Sequence, residues 1–315
     1  MPLARTFISR RTMLSGLMAG LAAGLGVSIG AQAIAQPFRT RSLPPVPSLP
    51  DLDTEGYTET SGAKIWYGRI GAGPPVILLH GGMASSRSWA LQVPALIAAG
   101  HEVILVDSRG HGQSTLGASP LRYELLADDI AAVIAELDLD APSLIGWSDG
   151  GIVALMLAGR ANHGLSGVFA FGANMSAQGV RADADRAPIL ELVGPRLRQD
   201  YIELSPAPSD FATLSSAVRK MQQGLDGCGT SRLTAIEGLS VTIAAGSDDE
   251  FITPEHPEYL AKHISGARLR IIRDAGHFAP WQQPTAFNRL LLEFLGADRR
   301  LATISGNGPD KASAI

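Results

Sequence analysis

Gly146-Trp147-Ser148-Asp149-Gly150-Gly151, set directly after the run Ser143-Leu144-Ile145, decides how the rest of this chain reads. The run predicts a buried strand, and Ile152 to Ala158 predicts a helix. Between them a serine sits in the spacing G-x-S-x-G, the nucleophile elbow, where a strained strand-to-helix turn holds a hydroxyl clear of the packed interior. Glycines two residues before and after the serine are needed because the turn leaves no room for a Cβ. The spacing also sets the register. With Ser148 at the apex, the crowded positions are Gly146 and Gly150. With Asp149 there, they would be Trp147 and Gly151, and an indole does not fit. An aspartate nucleophile, as in epoxide hydrolases and dehalogenases, is therefore disfavoured.

Working outward, the chain of 315 residues opens on Ser9-Arg10-Arg11-Thr12, then an apolar, glycine-rich stretch from Leu14 to about Ala31. Ala31-Gln32-Ala33 and Ala33-Ile34-Ala35 follow as A-x-A sites. This pattern predicts a bacterial export signal over residues 1–35, and the arginine pair suggests the twin-arginine route and its export machinery as a partner. The alternative is an uncleaved anchor. Dilution of the stretch by Gly and Ser favours cleavage, a periplasmic or secreted protein, and no stable membrane association. Removing residues 1–35, which hold Arg5, Arg10 and Arg11 and no acid, takes the formal charge from −4 to −7. A mildly acidic chain without basic clusters is not built for nucleic acid. The single cysteine, Cys228, rules out an internal disulfide.

Residues 36–52 are Pro-rich and predict a stiff spacer. The domain is expected over 53–296, and residues 297–315 as a frayed tail. Within the domain, apolar strand-like runs alternate with helical patterns, which predicts an α/β fold. Its mainly parallel sheet is flanked by helices. Expected helices include Ser88–Ala99 and Leu121–Leu137, the latter with Glu124, Asp128, Asp129 and Glu136 on its wet side. Another begins at Thr253-Pro254-Glu255 with a threonine N-cap. The last is expected over Pro284–Leu295. The alternation breaks between about 174 and 238, which predicts a small helical cap insertion over the sheet's carboxyl edge.

Four motifs now stand in order: His80-Gly81-Gly82, Asp107 to Ser114, the elbow at Ser148, and Gly276-His277. In that order, with strands before the first three, the chain resembles the α/β-hydrolase fold superfamily over about residues 57 to 295. The resemblance implies a Ser-acid-His triad and no cofactor or metal. His277 would be the general base. Gly246-Ser247-Asp248-Asp249-Glu250 supplies the acid, with Asp249 favoured by the usual spacing and Asp248 as the alternative. The oxyanion would rest on the backbone amides of Asp149 and Gly82, with Met83 as a neighbouring possibility. Asp107 to Ser114 is expected to be structural, with Arg109 and His111 in local hydrogen bonds. Trp147, Trp89, Phe278 and Trp281 flank the motifs and are read either as core or as the wall of an acyl pocket.

The expected activity is hydrolysis of a carboxylic ester or related small acyl substrate. Lactonase, carbon–carbon bond hydrolase, aminopeptidase and cofactor-free perhydrolase or haloperoxidase activities share the same triad. An aminopeptidase would need acids in the cap, where Glu191, Asp200, Glu203 and Asp210 are available but dispersed. A ligand-binding protein without catalysis is the alternative from another class, although no triad member is missing.

Overall fold

A computed structural model describes residues 43–225 and 230–306. The expected export signal, the first part of the spacer, Cys228 and the end of the tail lie outside the described residues. Eight strands form one sheet in the order β1-β2-β4-β3-β5-β6-β7-β8. β1 (Thr54–Thr60) and β2 (Ala63–Ile70) form an antiparallel hairpin, and β2 pairs antiparallel with β4 (Glu102–Val106). From β4 onward every pairing is parallel, through β3 (Pro75–Leu79), β5 (Ser143–Trp147), β6 (Gly167–Phe171), β7 (Ser240–Gly246) and β8 (Arg268–Ile272).

The continuous apolar runs mark strands covered on both faces. Every residue of β5, β6 and β7 is buried. The strand period of two sends Ile77 and Leu79 into the core on one face, and Val76 and Leu78 into the core on the other. The first core takes in α2 (Tyr123–Glu136) and α3 (Asp149–Ala158) and reaches α7 (Glu255–His263). The second takes in α1 (Val93–Ala98), α8 (Ala279–Gln282) and α9 (Pro284–Gly306). All of α3 is buried, which explains why it is apolar on all sides. Exposure is concentrated at the edges: β1 is exposed along most of its length, and β8 at Arg270 and Ile271.

Among the described residues, the segment between β6 and β7 carries three α-helices, α4 (Leu190–Leu204), α5 (Phe211–Gln223) and α6 (Thr230–Thr234). Among the described residues no helix is long and apolar enough to cross a membrane.

Several local expectations need correction. The helix expected over Ser88–Ala99 is a 3-10 turn at Ser86–Trp89 followed by α1, which starts late so that Pro94 falls in its first turn. Asp129 does not face water. It is buried on a bidentate pair with Arg109, at 2.8 Å from Nε and 2.5 Å from Nη2, and burial still holds its carboxyl above the ordinary value against the pull of that guanidinium. Thr253 does not cap α7, which begins at Glu255 with Pro254 in the cap position and no side-chain cap bond. The described part of the spacer is more than a spacer. Leu43, Val46, Leu49 and Leu52 pack on the second core, and Pro44 O accepts from Arg196 Nη2 at 2.8 Å. Finally, α9 continues past Leu295 to Gly306.

Candidate active site

At the end of β5 the chain turns through Ser148, at φ 55° and ψ −121°, straight into α3. That conformation is sparsely populated for a residue with a Cβ and costs about 1–3 kcal/mol. The surroundings enforce it. Ser148 N–H donates to Phe171 O at 2.8 Å, and its own carbonyl accepts from Gly151 and Ile152. A Cβ on Gly146 would overlap the Gly150 carbonyl, and one on Gly150 would overlap the Leu79 carbonyl, as the elbow spacing predicts. The hydroxyl faces the His-Gly-Gly turn, with Ser148 Oγ 3.8 Å from where a Gly81 Cβ would stand.

His277 follows β8 and is held at three polar atoms. Its Nδ1 lies 2.9 Å and 3.1 Å from the two oxygens of Asp249. Its backbone N–H donates to Glu250 Oε2 at 2.7 Å, and its carbonyl accepts from Trp147 Nε1 at 2.9 Å. A carboxylate can only accept, so Nδ1 carries the ring proton and Nε2 keeps its lone pair. Asp249 is itself fixed, because Oδ1 also accepts the amides of Phe251 and Ile252, each at 2.9 Å. Burial draws the imidazole down, but the Asp249 charge and hydrogen bond, with the charges of Glu250 and Asp149 behind them, outweigh it and raise His277 above its ordinary value.

Of the two acids considered, the structure puts Asp249 on the histidine, whereas Asp248 turns away and accepts from Ser247 Oγ. β6 brings serine and histidine to one edge. Phe171 O binds the Ser148 amide, and at the next residue a Gly172 Cβ would press on the His277 ring at 2.8 Å from Cε1.

The two expected oxyanion donors are also neighbours. A Cβ on Gly82 would meet Asp149 Oδ2 at 2.5 Å. Met83 N–H is already engaged, donating to His111 Nε2 at 3.1 Å, which leaves Gly82 as the open member of that turn. The Asp149 side chain is a feature the sequence reasoning missed, having used only its amide. It is buried, with Oδ1 accepting from Tyr123 Oη at 2.7 Å and Oδ2 from Gln222 Nε2 at 3.1 Å. Burial pushes this carboxyl up, against the pull of those two donors. Trp147 Nε1 and Glu250 were likewise missed as partners of His277. The only sequence signals were the position of Trp147 beside Ser148 and the third acid in Asp248-Asp249-Glu250.

Asp107 to Ser114 is held in local hydrogen bonds, and through His111 it also reaches Met83. Asp107 accepts the Ser86 and Gln113 amides at 2.7 Å and 2.8 Å, and Ser114 Oγ donates to Asp107 O at 2.6 Å. Trp147, Trp89, Phe278 and Trp281 are core. They are buried against one another, with Trp147 5.2 Å from Trp281 and 5.5 Å from Phe278 between ring centres. The cap acids are dispersed, and only Asp200 is half-buried. Glu191 and Asp210 are exposed, and Asp200 and Glu203 pair with Arg87. Among the described residues no group of three or more His, Cys, Asp or Glu side chains is arranged to hold a metal.

Residues 76–290 match the model of the Alpha/beta hydrolase family. Serine hydrolase BPHL of Mus musculus is 27% identical over 272 residues, covering 80% of this chain and 89% of that protein. A 2-hydroxy-6-oxononadienedioate/2-hydroxy-6-oxononatrienedioate hydrolase of Escherichia coli is 28% identical over 255 residues, covering 70% of this chain and 86% of that one. Among solved structures, a meta-cleavage product hydrolase from Pseudomonas fluorescens superposes with a TM-score of 0.66. It is 20% identical, covers 77% of this chain and 97% of its own, and shows likeness of fold.

Proposed function

As a member of the Alpha/beta hydrolase family this chain is a hydrolase, and from that premise we propose that it cleaves a carboxylic ester or related acyl compound through an acyl-enzyme on Ser148. His277 Nε2 takes the serine proton as Oγ attacks the carbonyl, and Asp249 stabilises the imidazolium that forms. The oxyanion rests on the amides of Asp149 and Gly82, aided by the positive end of α3. His277 then returns the proton to the leaving group and activates the water that releases the acid. The observation that carries this reading is the Asp249–His277 hydrogen bond beside a serine held in a strained turn.

Export by the twin-arginine route remains part of the proposal and rests on residues 1–35 alone.

Purified protein should hydrolyse p-nitrophenyl acetate and react with a fluorophosphonate probe, which labels only an activated serine. Ser148→Ala should abolish both while its thermal unfolding stays cooperative. Full activity in that variant would sink the reading.

A further inference from the structure

Three acidic side chains act on the His277 imidazole: Asp249 and Glu250 from the turn after β7, and Asp149 from the start of α3. Asp249 is hydrogen-bonded to the ring, and Asp149 is bound by Tyr123 and Gln222. Glu250 has no part in the reaction as written above, yet its placement is specific. Its Oε2 accepts the His277 backbone N–H at 2.7 Å, a charge-assisted bond. Its carboxyl lies so close over Gly276 that a Cβ there would overlap both oxygens. A Cβ at Gly276 would thus have to displace the Glu250 carboxyl. On the side away from His277, Asp249 and Glu250 border a cavity of about 450 Å³, whose wall also carries Asp183, Glu258, Arg181 and Arg186.

We propose that Glu250 is a positioning residue for His277: it anchors the histidine's backbone amide and sets a second negative charge beside the ring, so that two consecutive carboxylates support one base. The inference rests on the reading of His277 as general base. The two acids divide the work. Asp249 touches the ring and fixes its tautomer, whereas Glu250 reaches the ring only through space and through the backbone. Loss of Asp249 should therefore disable the base. Loss of the Glu250 charge should leave a working base with a shifted proton affinity, because a negative charge nearby favours the imidazolium.

Glu250→Gln keeps an acceptor for the His277 amide and removes the charge, and Glu250→Leu removes both. Two readouts apply: the pH dependence of kcat/KM on p-nitrophenyl acetate, and the titration of the His277 ring by NMR, which needs no turnover. In Glu250→Gln both the acidic limb and the ring titration should move to lower pH by about half a unit or more. Plateau kcat should stay within about threefold of wild type. Glu250→Leu should add a loss of about tenfold in kcat with KM unchanged, as the loop loses its anchor.

Glu258→Gln, on the same cavity but exposed, should move neither. A Glu250→Gln protein that titrates like wild type overturns the proposal, as does an equal shift in Glu258→Gln. If Glu250→Leu fails to fold, Glu250→Gln decides alone. Absence of both esterase activity and fluorophosphonate labelling would sink the proposed function, and the ring titration would still decide the placement of Glu250.

Discussion

His80 and His111 lie at the same sheet edge as His277, as deeply buried, yet they are driven the opposite way. Burial lowers His80 to about 4, and burial together with the nearby His80 lowers His111 to about 3. His277 suffers the same loss of water and is raised. The difference lies in what each ring nitrogen meets. His80 Nδ1–H donates to Gly81 O and Nε2 accepts the Ser108 amide; His111 Nδ1–H donates to Arg109 O and Nε2 accepts the Met83 amide. A second ring proton, on Nε2, would break the hydrogen bond that nitrogen accepts from a backbone N–H in either case. His277 instead puts Nδ1–H on a carboxylate, which favours the charged ring. Proximity to an acid is not sufficient. Asp107 lies near enough to act on His111, but its oxygens bind the Ser86 and Gln113 amides instead. Two of these histidines are built to stay neutral and one to gain a proton.

The largest test of this contrast converts the third histidine toward the other two. Asp249→Asn keeps the shape and removes the charge, and kcat/KM should fall by about 10³–10⁴. Its His277 ring should titrate at lower pH than wild type. Activity within tenfold of wild type would show that another acid serves the base.

A smaller effect is expected at the neutral pair. His80 takes an amide from the loop after β4, and His111 takes one from the loop after β3, so the two rings bind the oxyanion turn reciprocally to its neighbour. His111→Leu leaves the Met83 amide without its acceptor, at a cost of about 1–3 kcal/mol. The loosened turn should lower kcat by roughly tenfold to a hundredfold. His111→Gln, with an amide oxygen in reach of Met83, should recover most of it. Recovery by leucine instead would reduce the ring to a space filler.

The pair also sets a sign for stability. Both folded values lie below the 6.5 of an unfolded histidine, so the unfolded chain takes up those protons first. Their contribution is full above about pH 6.5 and is lost as pH falls toward 4 for His80 and 3 for His111. His277 contributes oppositely, fully below the unfolded value and less as pH rises through its raised folded value. A plot of Tm against pH should therefore fall less steeply between 6.5 and 4 in His111→Gln than in wild type.

What the sequence made legible was local. The elbow is readable because a strained turn excludes Cβ atoms at fixed offsets, and the central strands because burial on both faces demands unbroken apolar runs. His277 is readable because glycine and a strand end flank it. Features set by distant partners were not readable. Asp129 looks solvated on a helical wheel, and only Arg109, twenty residues earlier, makes it a core residue. Thr54–Thr60 carries no apolar strand signal because it is largely polar, as an exposed edge strand is free to be. The Pro-rich segment reads as a spacer until Leu43 and its neighbours find the second core. The contacts of Glu250 and Trp147 with His277 join two loops and the end of β5, and no local pattern carries them.

The smallest predicted effect concerns the residue that spacing alone did not exclude. Asp248 and Asp249 are consecutive, equally acidic and on one turn, so composition treats them alike. The fold does not. Asp248 N–H is tied to Ala275 O, and its carboxylate accepts from Ser247 Oγ, whose oxygen also receives the Asp274 amide. The backbone direction alternates at a strand end, so fixing Asp248 on this outward set turns Asp249 inward to the ring. Asp248→Asn preserves those bonds and removes a charge that does not touch His277. Activity should therefore stay within about twofold and the acidic limb should not move, because this half-buried carboxylate is engaged by Ser247 and not by the ring. A loss approaching that of Asp249→Asn would mean that the two acids exchange places in solution, and the contrast between neutral and charged histidines would have to be drawn around a mobile acid.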